Sequence, residues 1–128
     1  MPIIFHKKTK EFHIYNEKIS YIFKVLANGH PGHIYYGRRL TDRDGFGGMI
    51  EYALRDMAPC TFEGNSTFSL EHLKQEYPSF GSGDMRFPAF ELERQDGSRA
   101  VDFKYQKHEI YRGKKKLPGL PAVYVEKE

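Results

Sequence analysis

Around the polar break Asn16-Glu17-Lys18, every second residue is apolar or aromatic: Phe12 and Ile14 before it, Ile19, Tyr21, Phe23 and Val25 after it. A period of two sends alternate side chains to opposite faces of a pleated strand. The stretch therefore predicts two strands joined by a polar turn. Residues 3–5 form a short apolar run before a polar turn at 7–10. Asn28-Gly29 and Pro31-Gly32 are turn dipeptides, because glycine supplies the positive φ such turns need. Residues 33–36 then read as a third strand, so the first third predicts an antiparallel meander.

The middle is less regular. Residues 37–48 (GRRLTDRDGFGG) form a long glycine-containing loop in which Phe46 is expected to be exposed. Long loops without their own structure are usually functional or disordered. Residues 49–56 (MIEYALRD) are expected to make two turns of helix, stopped by Pro59. A turn is expected at Glu63-Gly64-Asn65. Ser69 is expected to cap a short helix ending before Pro78, although His72 cannot complete a capping box.

Residues 86–93 are expected to form a strand, kept to an edge by Pro88. Asp96-Gly97 is a hairpin signal, and Val101, Phe103 and Tyr105 alternate beyond it. Residues 112–121 read as a basic loop and 122–126 as a last strand. Together these predict a mainly β fold, an antiparallel β-sandwich or part of one, with one or two short helices. The 10 Phe and 9 Tyr favour the same class, and 128 residues suit one domain.

The chemistry legible in the residues is sparse. The net charge of +3 comes from scattered lysines and arginines, not from a concentrated basic face, so no nucleic-acid partner is expected. Cys60 is the single cysteine, which permits no internal disulfide and favours a reducing compartment. No apolar run approaches membrane-spanning length and residues 1–5 lead straight into a polar stretch, so a cytoplasmic protein with no membrane partner is expected. The histidines lack metal-ligand spacing, and no cofactor or metal is expected. No nucleophile elbow, phosphate loop or marked carboxylate pair occurs. Phe46, Tyr52, Phe80 and Phe87 sit near turns, where a ring could stack on a sugar or fill a core or docking surface. On these grounds a free-standing carbohydrate-binding β-module is an open alternative.

Two long segments, SLEHLKQEYPSFGSGDMRFPAF (69–90) and IYRGKKKLPGLPAVYVE (110–126), carry a resemblance, supported by GHIYYGRR (32–39) and Gly97-Ser98-Arg99. The chain resembles the N-terminal domain of bacterial α-galactosidases of glycoside hydrolase family 36. The resemblance implies an N-terminal β-supersandwich followed, beyond residue 128, by a (β/α)8 barrel and a C-terminal β-domain. It implies hydrolysis of terminal α-galactosyl groups from melibiose- and raffinose-type oligosaccharides by a retaining mechanism. The catalytic aspartates would then lie on the barrel, leaving residues 1–128 with no catalytic residue. It also implies a homotetramer in which an acidic residue of the long loop touches the galactosyl unit bound by a neighbouring subunit. Glu51, in Met49-Ile50-Glu51-Tyr52, is the candidate, with Asp56 and Asp44 as alternatives.

Overall fold

The computed structural model describes residues 2–53, 61–62, 64–81, 84–113 and 115–121. Four strands, β1 (Ile3–His6), β2 (Glu11–Tyr15), β3 (Ile19–Val25) and β4 (Pro31–Arg38), pair in sequence order as an antiparallel meander. Asn16 closes the β2–β3 turn, its side-chain oxygen accepting the Lys18 and Ile19 N–H groups at 2.8 Å. The β3–β4 turn is tighter than the two turn dipeptides suggested. It spans only residues 27–29, with Gly29 at φ 88°, and Leu26 N–H donates to the His30 carbonyl at 2.8 Å. Pro31 and Gly32 already belong to β4. A Cβ on Gly32 would lie 2.5 Å from the Leu26 side chain, so glycine lets that leucine fold across the strand.

The register gives the sheet two unlike faces. On one, Phe5, Phe12, Phe23 and His33 align in a row beside Ile3, Ile14, Tyr21 and Tyr36. The Phe12 and Phe23 rings stack with centroids 4.7 Å apart, and Phe5 lies 4.6 Å from Phe12. Tyr105 and His108 pack on this aromatic face, and Tyr105 N–H donates to the Gly29 carbonyl at 2.8 Å. Tyr36 stays 65% exposed. On the other face, Ile4, His13, Ile22 and Tyr35 align beside His6, Glu11, Lys24 and Gly32. A bulge in β4 inserts Ile34 beside Tyr35, and both pack on Ile22 with Phe46.

The second half of the chain is tied to this sheet by polar contacts. His33 N–H donates to the Lys74 carbonyl at 2.8 Å, and Glu76 N–H to the Pro31 carbonyl at 3.0 Å. The Glu76 carboxylate holds His33 Nδ1 at 2.6 Å and accepts the Tyr21 hydroxyl. Burial, and then that hydrogen bond and the charge of Glu76, push the Tyr21 phenol up. Buried His30 faces Gln75 Oε1 at 3.0 Å and Asp102 at 2.6 Å, while Gln75 Nε2 donates to Asp84 at 2.8 Å. Arg86 completes the chain, donating to Asp84 and to the carbonyls of Leu70 and Leu73.

Several expectations are corrected. Of the helix expected at 49–56, residues 50–53 are not helical and 54–56 lie outside the described residues. Among the described residues one 3-10 turn spans Gly47–Met49, and Ile50 is already extended at ψ 127°. Ile50 is drawn onto two apolar clusters, one of Ile22, Ile34 and Phe46 and one of Leu26, Phe68, Leu70 and Leu73, which an extended chain reaches. Ser69 caps a turn rather than a helix, accepting Glu71 N–H on its hydroxyl and the His72 and Leu73 N–H groups on its carbonyl. The segment ahead of it, where only a turn at Glu63-Gly64-Asn65 is expected, is a hairpin of β5 (Thr61–Phe62) and β6 (Asn65–Ser69) around Gly64. The Asp96-Gly97 turn forms, with Arg94 N–H donating to the Ser98 carbonyl at 2.9 Å, yet residues 86–93 and 99–111 build no ladder. Alternation makes a strand possible, but a ladder needs successive bonds along one edge, and here Val101 N–H goes to the Phe80 carbonyl at 3.0 Å and Tyr105 N–H to the Gly29 carbonyl at 2.8 Å, on separate segments. The expected strand at 122–126 and Cys60 lie outside the described residues. The mainly antiparallel β class stands, consistent with a β-sandwich domain. No helix among the described residues is long and apolar enough to cross a membrane.

Candidate functional site

The loop after β4 crosses the polar-lined face of the sheet and is fastened there residue by residue. Arg39 N–H donates to the Lys18 carbonyl at 2.8 Å, and Leu40 N–H donates to Ser20 Oγ at 2.9 Å. Asp42 places one oxygen, Oδ1, 2.6 Å from His13 Nδ1 and 3.1 Å from His6 Nε2. Burial pushes the Asp42 carboxyl up, but the hydrogen bonds from His13 and His6, with their charge, outweigh it and hold it below the usual carboxylate range. Contrary to expectation, Phe46 is buried, at 1% exposure. Its ring meets the His13 ring edge-on at 5.2 Å, beneath the Arg43 guanidinium at 5.3 Å.

Ser20, His13 and Asp42 join as hydroxyl, imidazole and carboxylate, with Ser20 Oγ 2.9 Å from His13 Nε2. The connectivity is that of a hydrolytic triad, but a nucleophile must reach its substrate. Ser20 and His13 have no exposed surface, and the Ser20 oxygen is already engaged by the Leu40 N–H. The array is a structural fastening.

Glu11 is the second fastening. This carboxylate is 1% exposed, and its Oε2 accepts the Phe46 N–H at 2.8 Å. Lys24 Nζ stands 3.8 Å from its Oε1. The chain then makes its 3-10 turn, with Met49 N–H donating to the Phe46 carbonyl at 2.9 Å and Ile50 N–H to the Gly47 carbonyl at 3.1 Å. Burial, and then the charge of Glu11, push the Tyr52 phenol up. Ile50 thus turns inward onto both apolar clusters and Tyr52 lies close enough to Glu11 to feel it, whereas Glu51 between them is exposed.

The three acidic candidates separate. Glu51 is exposed at the end of the fastened loop, with no hydrogen bond or ion pair among the described residues. Asp44 faces His6 Nδ1 at 3.0 Å and is not brought to Glu51's side by any contact. Asp56 lies outside the described residues. Of the aromatics near turns, Tyr52 is half exposed. Phe80 and Phe87 line a groove of about 330 Å³ with Met85, Pro88, Leu92 and Arg99. No group of three or more metal-ligating side chains gathers among the described residues.

Glu11, His13, Ser20 and Asp42 had not stood out in the sequence. Glu11 and His13 occupy the positions that alternate with Phe12 and Ile14, which reads as a solvent-facing set. The available signal was that Ile4 and Ile22 share this face, so it could not be wholly solvated.

Residues 29–128 match the family described as the glycosyl hydrolase family 36 N-terminal domain. Alpha-galactosidase AgaA of Geobacillus stearothermophilus is 38% identical over 128 residues, which is 100% of this chain and 17% of that protein. The galactosidase domain of AgaSK, a bifunctional alpha-galactosidase/sucrose kinase of Mediterraneibacter gnavus, superposes with a TM-score of 0.85 at 31% identity, covering 97% of this chain and 17% of that one. A variant of the Geobacillus AgaA crystallised in complex with raffinose superposes with a TM-score of 0.78 at 38% identity, covering 91% of this chain and 16% of that one. The chain therefore spans about a sixth of the length of these relatives. It belongs to glycosyl hydrolase family 36 and carries that family's N-terminal domain.

Proposed function

We propose that this chain is the non-catalytic N-terminal part of an α-galactosidase that releases terminal α-galactosyl groups from melibiose- and raffinose-type oligosaccharides by a retaining mechanism. The observation that carries this reading is the match along the whole chain to alpha-galactosidase AgaA, together with the raffinose bound by the AgaA variant. The nucleophile and the general acid/base lie outside residues 1–128, on a barrel that follows, and the chain alone is silent. Its own contribution is assembly, as part of a homotetramer, and a substrate contact supplied to a neighbouring subunit in the cytoplasm.

Glu51 makes that contact. Its neighbour Ile50 packs on both apolar clusters while Glu51 is exposed, so its carboxylate projects from a fixed base. A carboxylate accepts hydrogen bonds from sugar hydroxyls, and such charge-assisted bonds contribute roughly 1.5–3 kcal/mol each. A contact made equally in ground and transition states appears in KM rather than kcat. In the full-length oligomer, Glu51→Ala should raise KM for melibiose about tenfold or more. Asp44→Ala and Asp56→Ala should leave it near the parent value. An unchanged KM for Glu51→Ala, or a rise confined to Asp44→Ala or Asp56→Ala, removes Glu51 from the role.

The aromatic face, with Tyr36 exposed beside Tyr21, favours a second reading as a free-standing carbohydrate-binding module. The reading frame after Glu128 separates the two. Continuation into a barrel with paired aspartates decides for the enzyme, and a natural stop codon leaves the module reading standing.

A further inference from the structure

A buried carboxylate is costly unless its hydrogen bonds are satisfied, and Glu11 is buried within a sheet that could have placed an apolar residue there. Its partners explain the choice. Oε2 takes the backbone N–H of Phe46, at the start of the 3-10 turn. Oε1 lies so close under that turn that a Cβ on Gly47 would sit 3.4 Å from it. At the far end of the same seven-residue stretch, the Tyr52 ring feels the Glu11 charge. One side chain on β2 therefore holds the entry of the segment that carries Glu51, through the Phe46 N–H and against Gly47. Lys24, from β3, is the cation that faces it. Asp42, fastened by His6 and His13, restrains the loop earlier and acts on residues further from Glu51.

We propose that Glu11 is a positioning residue for substrate binding: by fastening the Phe46 backbone at the entry to the 3-10 turn, it sets the height and direction at which Glu51 is presented to the sugar. The inference rests on the substrate-contact role of Glu51 proposed above. Glu11 itself never touches the sugar, since the loop covers it. Its effect passes through Glu51 and vanishes when Glu51 is gone.

The test is a double-mutant cycle in the full-length oligomer, with KM and kcat measured for melibiose. Glu11→Ala should raise KM about tenfold with kcat little changed, and Glu11→Gln, which keeps an oxygen for the Phe46 N–H, about threefold. In a Glu51→Ala background neither change should raise KM further. A Glu11 effect that persists undiminished in that background, or no effect of either Glu11 variant, overturns the proposal while leaving the role of Glu51 intact. If Glu51→Ala itself leaves KM unchanged, the substrate-contact reading fails, and with it Glu51 as the residue Glu11 positions. Should Glu11→Ala fail to assemble, the Glu11→Gln cycle decides alone by the same criterion.

Discussion

His13 Nδ1 and Asp42 Oδ1 lie 2.6 Å apart on a face of the sheet where His13 has no exposed surface. A loop carboxylate closes over a strand imidazole, and the Ser20 hydroxyl on the other ring nitrogen fixes the ring's orientation. The loop is thereby held by polar bonds to the same face that receives Phe46.

Acid should loosen this arrangement. Asp42 is held below the usual carboxylate range against its burial by His13 and His6, and Asp84 likewise by Arg86 and Gln75. Asp102 is held low by Lys104 and then His30. A depressed carboxyl adds stability that is fully present above its unfolded value, about 3.9, and is lost as pH falls through the lower folded value. Thermal melts should therefore show Tm falling below about pH 4, with a shallower fall in Asp84→Asn. A Tm unchanged between pH 5 and pH 2, or an unaltered slope in the variant, would contradict the linkage.

Phe46→Ala should open a cavity against Ile22 and Ile34 and release the loop's one deeply inserted ring. Truncations of this kind cost about 3–5 kcal/mol. Hydrogen exchange at the Phe46, Met49 and Ile50 amides should accelerate by the corresponding factor, ahead of the β2–β3 ladder. Equal acceleration of ladder and loop would mean that Phe46 supports the whole sheet rather than the loop.

Arg86→Ala should destabilise the turn at residues 70–73 by roughly 2 kcal/mol, because it leaves Asp84 without its cation and two carbonyls without a donor. Arg86→Lys should restore little, since a single ammonium cannot reproduce the forked set of contacts. Full recovery in the lysine variant would reduce the role of Arg86 to its charge.

Residues 1–128 expressed alone should self-associate. Tyr36 on the aromatic face and Phe80, Met85, Phe87 and Leu92 around the groove are exposed, with Phe87 at 86%. Apolar surface on that scale marks an interaction face. Sedimentation should show concentration-dependent oligomers, and a monomer that melts cooperatively would count against it.

The sequence alone determined the meander and the family. Period-two runs at Phe12–Ile14 and Ile19–Val25 put aromatic side chains on one face whatever lies around them, and turn residues such as Asn16 act on their immediate neighbours. Local patterns of this kind depend on contacts a few residues apart. The fate of residues 46–52 depended on contacts that are not local. Glu11 and Phe46 lie 35 residues apart, and His13 and Asp42 lie 29 apart. The helical propensity of residues 50–53 lost to two apolar clusters that an extended Ile50 could reach together. The alternation at Val101, Phe103 and Tyr105 produced no ladder, because its backbone N–H groups are accepted on separate segments, at Phe80 and Gly29, rather than in succession along one edge. Tertiary structure therefore decided which polar residues of β2 are buried and that Phe46 plugs the sheet. It also decided that Ile50 packs inward on both apolar clusters while the next residue, Glu51, is left exposed.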